Sequence, residues 1–164
     1  MTREIALTRG QVAIVDDEDF QRLNAVKWFA HRAPNGKFYA CRQVRCADGK
    51  QRPEWMHKVV LGISRDVEGD HIDGDSLNNR RGNLRPATSQ QNLCNRDLFR
   101  NNRTGFRGVV IRRGRFVAQI TSHQRTFYIG QFGTAEEAAR AFDAKASELH
   151  GPFARLNFPE ASAA

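Results

Sequence analysis

Residues 106–149 carry two hydrophobic periods in an order that few folds satisfy. Three runs, Phe106 to Ile111, Arg115 to Ile120 and Thr126 to Gly130, are separated by two short polar breaks, Arg113-Gly114 and Ser122 to Gln124. Breaks this short join antiparallel neighbours, so the runs predict a three-stranded meander. The period then changes. Thr134 and Glu137 form a capping box, and Ala135, Ala138, Ala139, Phe142, Ala146 and Leu149 recur on one helical face until Gly151 and Pro152 end it. Small residues let that helix lie close on one face of the sheet, leaving the other open.

The open face is where charge collects. The chain holds 26 Lys and Arg against 18 Asp and Glu, a formal net charge of +8. Residues 103–133 contribute Arg103, Arg107, Arg112, Arg113, Arg115 and Arg125 with no acidic residue, whereas 134–164 are net negative. A concentrated basic patch is the footprint of a polyanionic partner, and the arginine fork suits phosphates and guanine edges. No run of 18 apolar residues is present and the start lacks an apolar stretch after a basic one. A membrane partner is therefore not expected, and the expected location is the cytoplasm. Cys41, Cys46 and Cys94 are an odd number with no C-x-x-C spacing, which argues for reduced thiols rather than a disulfide framework or zinc ribbon.

The first third reads as a small β-rich unit. Residues 5–15 suggest two strands about a turn at Arg9-Gly10, and Asp16 to Leu23 a short helix opened by acidic residues. Pro34-Asn35-Gly36 and Asp48-Gly49 mark hairpins, the second returning through Trp55 to His57.

Between the two parts lies DHIDGDSLNNRRGNLRPATSQQNLCNR, residues 70–96, dense in Asp, Asn and Gly. Such composition usually forms a solvated loop. Here Val59, Val60, Leu61 and Ile63 precede it, Ile72 and Leu77 punctuate it, and Leu84 centres a short strand, so the loop is anchored. Thr88 and Gln91 form a second capping box, predicting a helix to about Leu98 with Leu93 inward. The order is strand, polar loop, strand, helix. Asp70 and His71 end the first strand, and Asn92 lies one turn into the helix. A carboxylate and an amide oxygen suit Mg2+ or Mn2+ rather than zinc, and His71, with an ordinary pKa of about 6.5, is a candidate base near neutral pH. Asn83 is placed to hold the loop by side-chain hydrogen bonds.

At Asp70-His71-x-Asp73-Gly74, Leu77-x-Asn79, Asn83-Leu84 and Asn92 the sequence resembles the HNH, or ββα-metal, endonucleases, especially their phage and intron-homing branch. The resemblance covers roughly residues 55–98. It implies that His71 activates water, that Asn83 orients it, and that Asp70 and Asn92 bind one divalent cation, Mg2+ or Mn2+. Asn stands where many HNH proteins have a final His, which leaves Asn95 as an alternative ligand. His57, followed by a basic residue as in related phage proteins, is an additional candidate with a functional or a structural role. Arg80, Arg81 and Arg85 are candidates for holding DNA phosphates near the cation.

GFRGVVIRRGRFVAQI, YIGQFGTAEEAARAFDAKA and GPFARLNFP resemble the AP2 domain of plant ethylene-response factors over about residues 104–159. That implies a sheet laid in the DNA major groove, with Arg107, Arg112, Arg115 and Tyr128 at contact positions. Arg113 adds a charge beside them, at a position where it replaces a different residue.

The chain is therefore expected to be α+β: a β-rich HNH nuclease domain over 1–100, a hinge over 101–103 and an AP2-like DNA-binding domain over 104–160. The expected function is metal-dependent cleavage, by nicking, of double-stranded DNA, by a monomer if its state follows the simplest case. The alternative is a DNA-binding regulator whose HNH module is inactive.

Overall fold

The computed structural model describes the chain except for residues 95–97, 99–101, 123–124 and 160–164. It is an α+β protein in two compact units, Met1–Ser89 and Gln90–Ala164. No helix among the described residues is long and apolar enough to cross a membrane. Asn95, the alternative ligand, lies outside the described residues.

The first unit opens with β1 (Thr2–Ala6) and β2 (Val12–Asp16), antiparallel in the register Thr2 with Asp16. The turn between them puts Arg9 and Gly10 at φ 61° and 66°. Helix α1 (Asp17–Asn24) follows at once, its first turn carrying Asp17, Glu18 and Asp19 where the helix dipole favours negative charge. Strands β3 (Phe29–Arg32), β4 (Phe38–Arg45) and β5 (Gln51–Trp55) form a meander in that order. Helix α2 (Met56–Leu61) then runs to Gly62, which caps it at φ 66°. Strands β6 (Glu68–His71) and β7 (Leu84–Ala87) make a two-stranded ribbon. The core gathers Ile5 of β1, Val15 of β2, Leu23 of α1, Ala40 of β4, Met56 and Val60 of α2 and Leu84 of β7 about Trp28.

Two expectations need correction here. The second hairpin does not continue to His57: β5 ends at Trp55 and His57 belongs to α2. The hairpin signal extends the strand to His57, but Met56, His57 and Val60 are buried together, a spacing of one and three residues that shares one side of a helix and not one face of a strand. Ile72 does not anchor the polar loop by burial, being 45 % exposed; its amide donates to the Asn83 carbonyl at 2.9 Å.

The second unit begins within α3 (Ser89–Cys94). Leu93, expected inward, is 51 % exposed. Strands β8 (Val109–Arg112), β9 (Arg115–Ser122) and β10 (Arg125–Phe132) form the antiparallel sheet, with β9 central. Arg113 and Gly114, at φ 49° and 73°, make the tight turn between β8 and β9. Helix α4 (Ala135–His150) begins at the Thr134–Glu137 capping box, both of whose hydrogen bonds form. Ala138, Ala139, Phe142 and Ala146 pack on Val109, Ala118 and Ile120.

The first strand of this sheet starts later than its sequence suggests. Residues 104–108 turn instead, because the Asn102 side-chain oxygen accepts from the Thr104 and Gly105 amides at 2.9 and 2.8 Å. Gly108 has no room for a side chain: a Cβ would lie 2.0 Å from the Phe142 ring. Leu149, counted in the buried stripe, is 39 % exposed, the stripe ending one turn earlier at Ala146.

Candidate functional site

The polar segment between β6 and β7 is ordered by its own side chains. Asp73 Oδ1 accepts from the Asp75 amide and from Asn83 Nδ2, and Asp73 Oδ2 accepts from Asn78 Nδ2 at 2.6 Å. Asn83 Nδ2 also donates to the Asn78 carbonyl, and Asn83 Oδ1 accepts the Asp73 amide at 3.0 Å. Burial pushes the Asp73 carboxyl up, but the bonds from Asn78 and Asn83 outweigh it and leave the pKa below its ordinary value. Asn83 therefore acts on the loop that follows His71.

The N-terminal strands complete this loop. The Ile14 amide donates to the Leu77 carbonyl and the Asn79 amide to the Ile14 carbonyl, at 2.9 and 2.7 Å. Arg81 donates from its backbone to Asp16 and from its guanidinium twice to Asp19, each at 2.8 Å. Asp19 is buried, and the arginines Arg81 and Arg22 hold its pKa below the ordinary value against the opposing effect of burial. On the other side Ser76 Oγ donates to the Phe38 carbonyl and Lys37 Nζ to the Gly74 carbonyl. Arg81 is thus engaged in holding the loop, and Arg80 donates to Asn78 Oδ1 at 2.9 Å while remaining exposed.

His71 sits at the end of β6, buried. Its ring meets that of His57 edge to face at 5.1 Å between centroids, and Tyr39 lies at 6.1 Å. Trp55 lies 6.4 Å from His57, with the two rings nearly parallel. His71 Nε2 lies 3.4 Å from Asn79 Oδ1, and Asn79 Nδ2 donates to the Leu77 carbonyl at 2.9 Å. With its Nδ2 on Leu77, Asn79 presents an acceptor to the imidazole, so Nε2 carries the proton of the neutral ring and Nδ1 is left as the basic nitrogen. Burial lowers the pKa of His71, opposed by Asn79 and by Asp73, Asp70 and Asp75. Burial also pushes His57 down to about 3, aided by His71 and Lys58. Both rings are neutral at pH 7.

Asp70 precedes His71 and pairs across the ribbon with Arg85. Arg85 Nε and Nη2 donate to Asp70 Oδ2 at 2.8 and 2.6 Å. Among the described residues no group of three or more His, Cys, Asp and Glu is arranged so that it could hold a metal ion by itself. The donor chemistry still fits a hard divalent cation. Mg2+ commonly binds one or two carboxylates and takes its remaining ligands from water and substrate phosphate, and the neutral imidazoles beside Asp70 add no repelling charge. Asn92 lies in α3, in the second unit.

The structure brings His57, Asp70, His71, Asn83 and Arg85 into one unit. The residues that sequence reasoning passed over are Asn79, which lies within the quoted motif without a role, and Tyr39 and Trp55, which read only as hairpin aromatics. Tyr39 and Trp55 reach the histidines from β4 and β5, far away in the chain, whereas Asn79 lies in the loop that follows His71.

In the second unit the sheet face away from α4 carries Arg115, Val117, Gln119 and Thr121 from β9. Their cross-strand partners are Arg112, Val110, Tyr128 and Thr126. Arg112, Arg113 and Arg115 are exposed and Tyr128 is 65 % exposed. Arg112 Nη2 donates to Gln119 at 3.3 Å, and the hydroxyls of Thr121 and Thr126 meet at 3.0 Å. Arg107 precedes β8. Its backbone is clamped by Asn157, which accepts the Arg107 amide and donates to its carbonyl while bonding Asp143 of α4.

Comparison with known proteins agrees with both halves. The AP2 domain family matches residues 104–152. The chain is 38 % identical over 151 residues to an uncharacterized HNH endonuclease of Acanthamoeba polyphaga mimivirus, covering 91 % of this chain and 76 % of that one. It is 47 % identical over 66 residues to dehydration-responsive element-binding protein 2A of Arabidopsis thaliana, spanning 38 % of this chain and 20 % of that protein. It is 49 % identical over 57 residues to ethylene-responsive transcription factor 3 of Nicotiana tabacum, which covers 33 % of this chain and 25 % of the factor. The chain belongs to the HNH endonuclease family and carries an AP2 domain in its C-terminal part.

Proposed function

We propose that the chain is a divalent-cation-dependent endonuclease that nicks double-stranded DNA, in the manner of the homing HNH enzymes. The observation that carries the reading is His71: a buried, neutral imidazole whose Nε2 is taken by Asn79, leaving Nδ1 as the base. Water loses a proton to His71 Nδ1 and its oxygen attacks phosphorus. The phosphorus bond to the 3′ oxygen breaks, and that oxygen takes a proton from solvent water, leaving a 3′ hydroxyl and a 5′ phosphate. His57 and Tyr39 pack against the His71 ring and limit its rotation. Asn83 holds the 73–78 loop and, through it, the carbonyl of His71, which accepts from the Gly74 amide at 2.9 Å.

Asp70 would hold the cation, Mg2+ or Mn2+. When bound, it polarises the phosphate and stabilises the departing oxygen. The AP2 sheet supplies binding and orientation, with Arg107, Arg112, Arg113, Arg115 and Tyr128 reaching the duplex, and Arg80 holding a phosphate near His71. Incubating supercoiled plasmid with the protein and Mg2+ tests the reading: conversion to open circles that stops on adding EDTA supports it, and cleavage that survives EDTA counts against it.

A further inference from the structure

Asp70 is the one carboxylate assigned to the cation, and it already has a cationic partner. Asp70 and Arg85 stand directly opposite in the β6–β7 register, and two guanidinium N–H groups converge on one oxygen, Oδ2. The carboxylate side chain is 6 % exposed and the guanidinium 16 %, so solvent screens the pair little. A dication at this carboxylate would stand beside a fixed positive charge competing for the same oxygen. Arg85 cannot lose its proton to relieve that conflict, because a guanidinium stays charged in proteins.

A second anion resolves it. A phosphate diester offers the guanidinium the same two-oxygen geometry as a carboxylate, and every charge then keeps a partner: Arg85 with the phosphate, Asp70 with the cation. We propose that Arg85 guards the cation ligand. It holds Asp70 in the DNA-free protein and passes to a DNA phosphate on binding, so that cation and substrate enter together. This rests on the assignment of Asp70 as a cation ligand. Linkage makes the coupling reciprocal: whatever factor DNA adds to cation affinity, the cation adds to DNA affinity.

Mn2+ binding to the full chain without DNA, followed by electron paramagnetic resonance, tests this apart from activity. Wild type binds weakly, Arg85→Gln binds at least roughly tenfold tighter because the competing charge is gone, and Arg85→Lys, which keeps that charge, stays near wild type. Adding Asp70→Asn to Arg85→Gln removes the gain. Equal, tight binding by wild type and Arg85→Gln that Asp70→Asn abolishes would keep Asp70 as a ligand and overturn the guard. Binding that is absent throughout, or indifferent to Asp70→Asn, would overturn the cation assignment and the guard with it. Circular dichroism checks that Arg85→Gln folds. Where it does not, the Arg85 Nε–H resonance of the wild type decides: it shifts on adding duplex DNA in EDTA if the guanidinium leaves Asp70, and an unmoved resonance overturns the proposal.

Discussion

The imidazoles of His57 and His71 meet edge to face with centroids 5.1 Å apart, although one belongs to a helix and the other to a strand. Neither can be charged without cost, because each is buried and a proton on one raises the energy of a proton on the other. The pair therefore makes the first unit acid-sensitive as well as shaping the candidate site.

The sign of that sensitivity follows from the His57 pKa, lowered from 6.5 to about 3. Below pH 6.5 the unfolded chain binds a proton that the folded chain excludes, so stability present above 6.5 is lost as pH falls toward 3. Between pH 7 and 4.5 His57 alone should lower unfolding free energy by about 2–3 kcal/mol, and His71 acts in the same direction. Both tryptophans, Trp28 and Trp55, lie in the first unit, so denaturant unfolding followed by their fluorescence reads this unit. His57→Phe should flatten the pH dependence; an unchanged acid slope would contradict the burial argument.

Gly69 is needed because of His57. A Cβ at residue 69 would lie 2.6 Å from His57 Cδ2 and 3.4 Å from Leu61. Gly69→Ala should cost about 1–3 kcal/mol by overpacking. His57→Ala opens the space, so the double variant should be more stable than the sum of the single losses predicts. Strict additivity in this cycle would show that the two residues do not press on each other.

Arg112 and Arg115 face each other across the hairpin on the sheet face away from α4. If each meets a phosphate, Arg112→Ala and Arg115→Ala should each reduce the slope of log affinity against log salt by roughly 0.9. Filter binding of a duplex over a range of salt concentrations measures it. An unchanged slope for both variants would remove this face from the interface.

The second unit is far more legible in its sequence than the site is. Arg113-Gly114 announces its tight turn and Thr134 with Glu137 its helix start, because each signal lies within four residues of the structure it causes. His71 depends instead on partners distant in the chain. Asn79 is seated by Ile14, Arg81 by Asp16 and Asp19, and Ser76 by Phe38, over separations of 38 to 65 residues. These are mostly bonds to backbone atoms, which leave no trace in side-chain pattern. The N-terminal strands read as a scaffold without chemistry, and they hold no candidate base or ligand, yet they position the loop that does. His57 is legible as a candidate but its setting is not: the hairpin signal carries the strand through Trp55 to His57, whereas Met56, His57 and Val60 are buried together on one side of a helix.

The role of His71 as base is tested most directly by His71→Ala in paired assays of cleavage and of DNA affinity. The substitution removes a proton acceptor and no phosphate contact. The nicking rate on supercoiled plasmid should therefore fall by roughly 10²–10⁴-fold while duplex affinity stays at the wild-type value. Nicking at the wild-type rate by a folded His71→Ala protein would contradict the account.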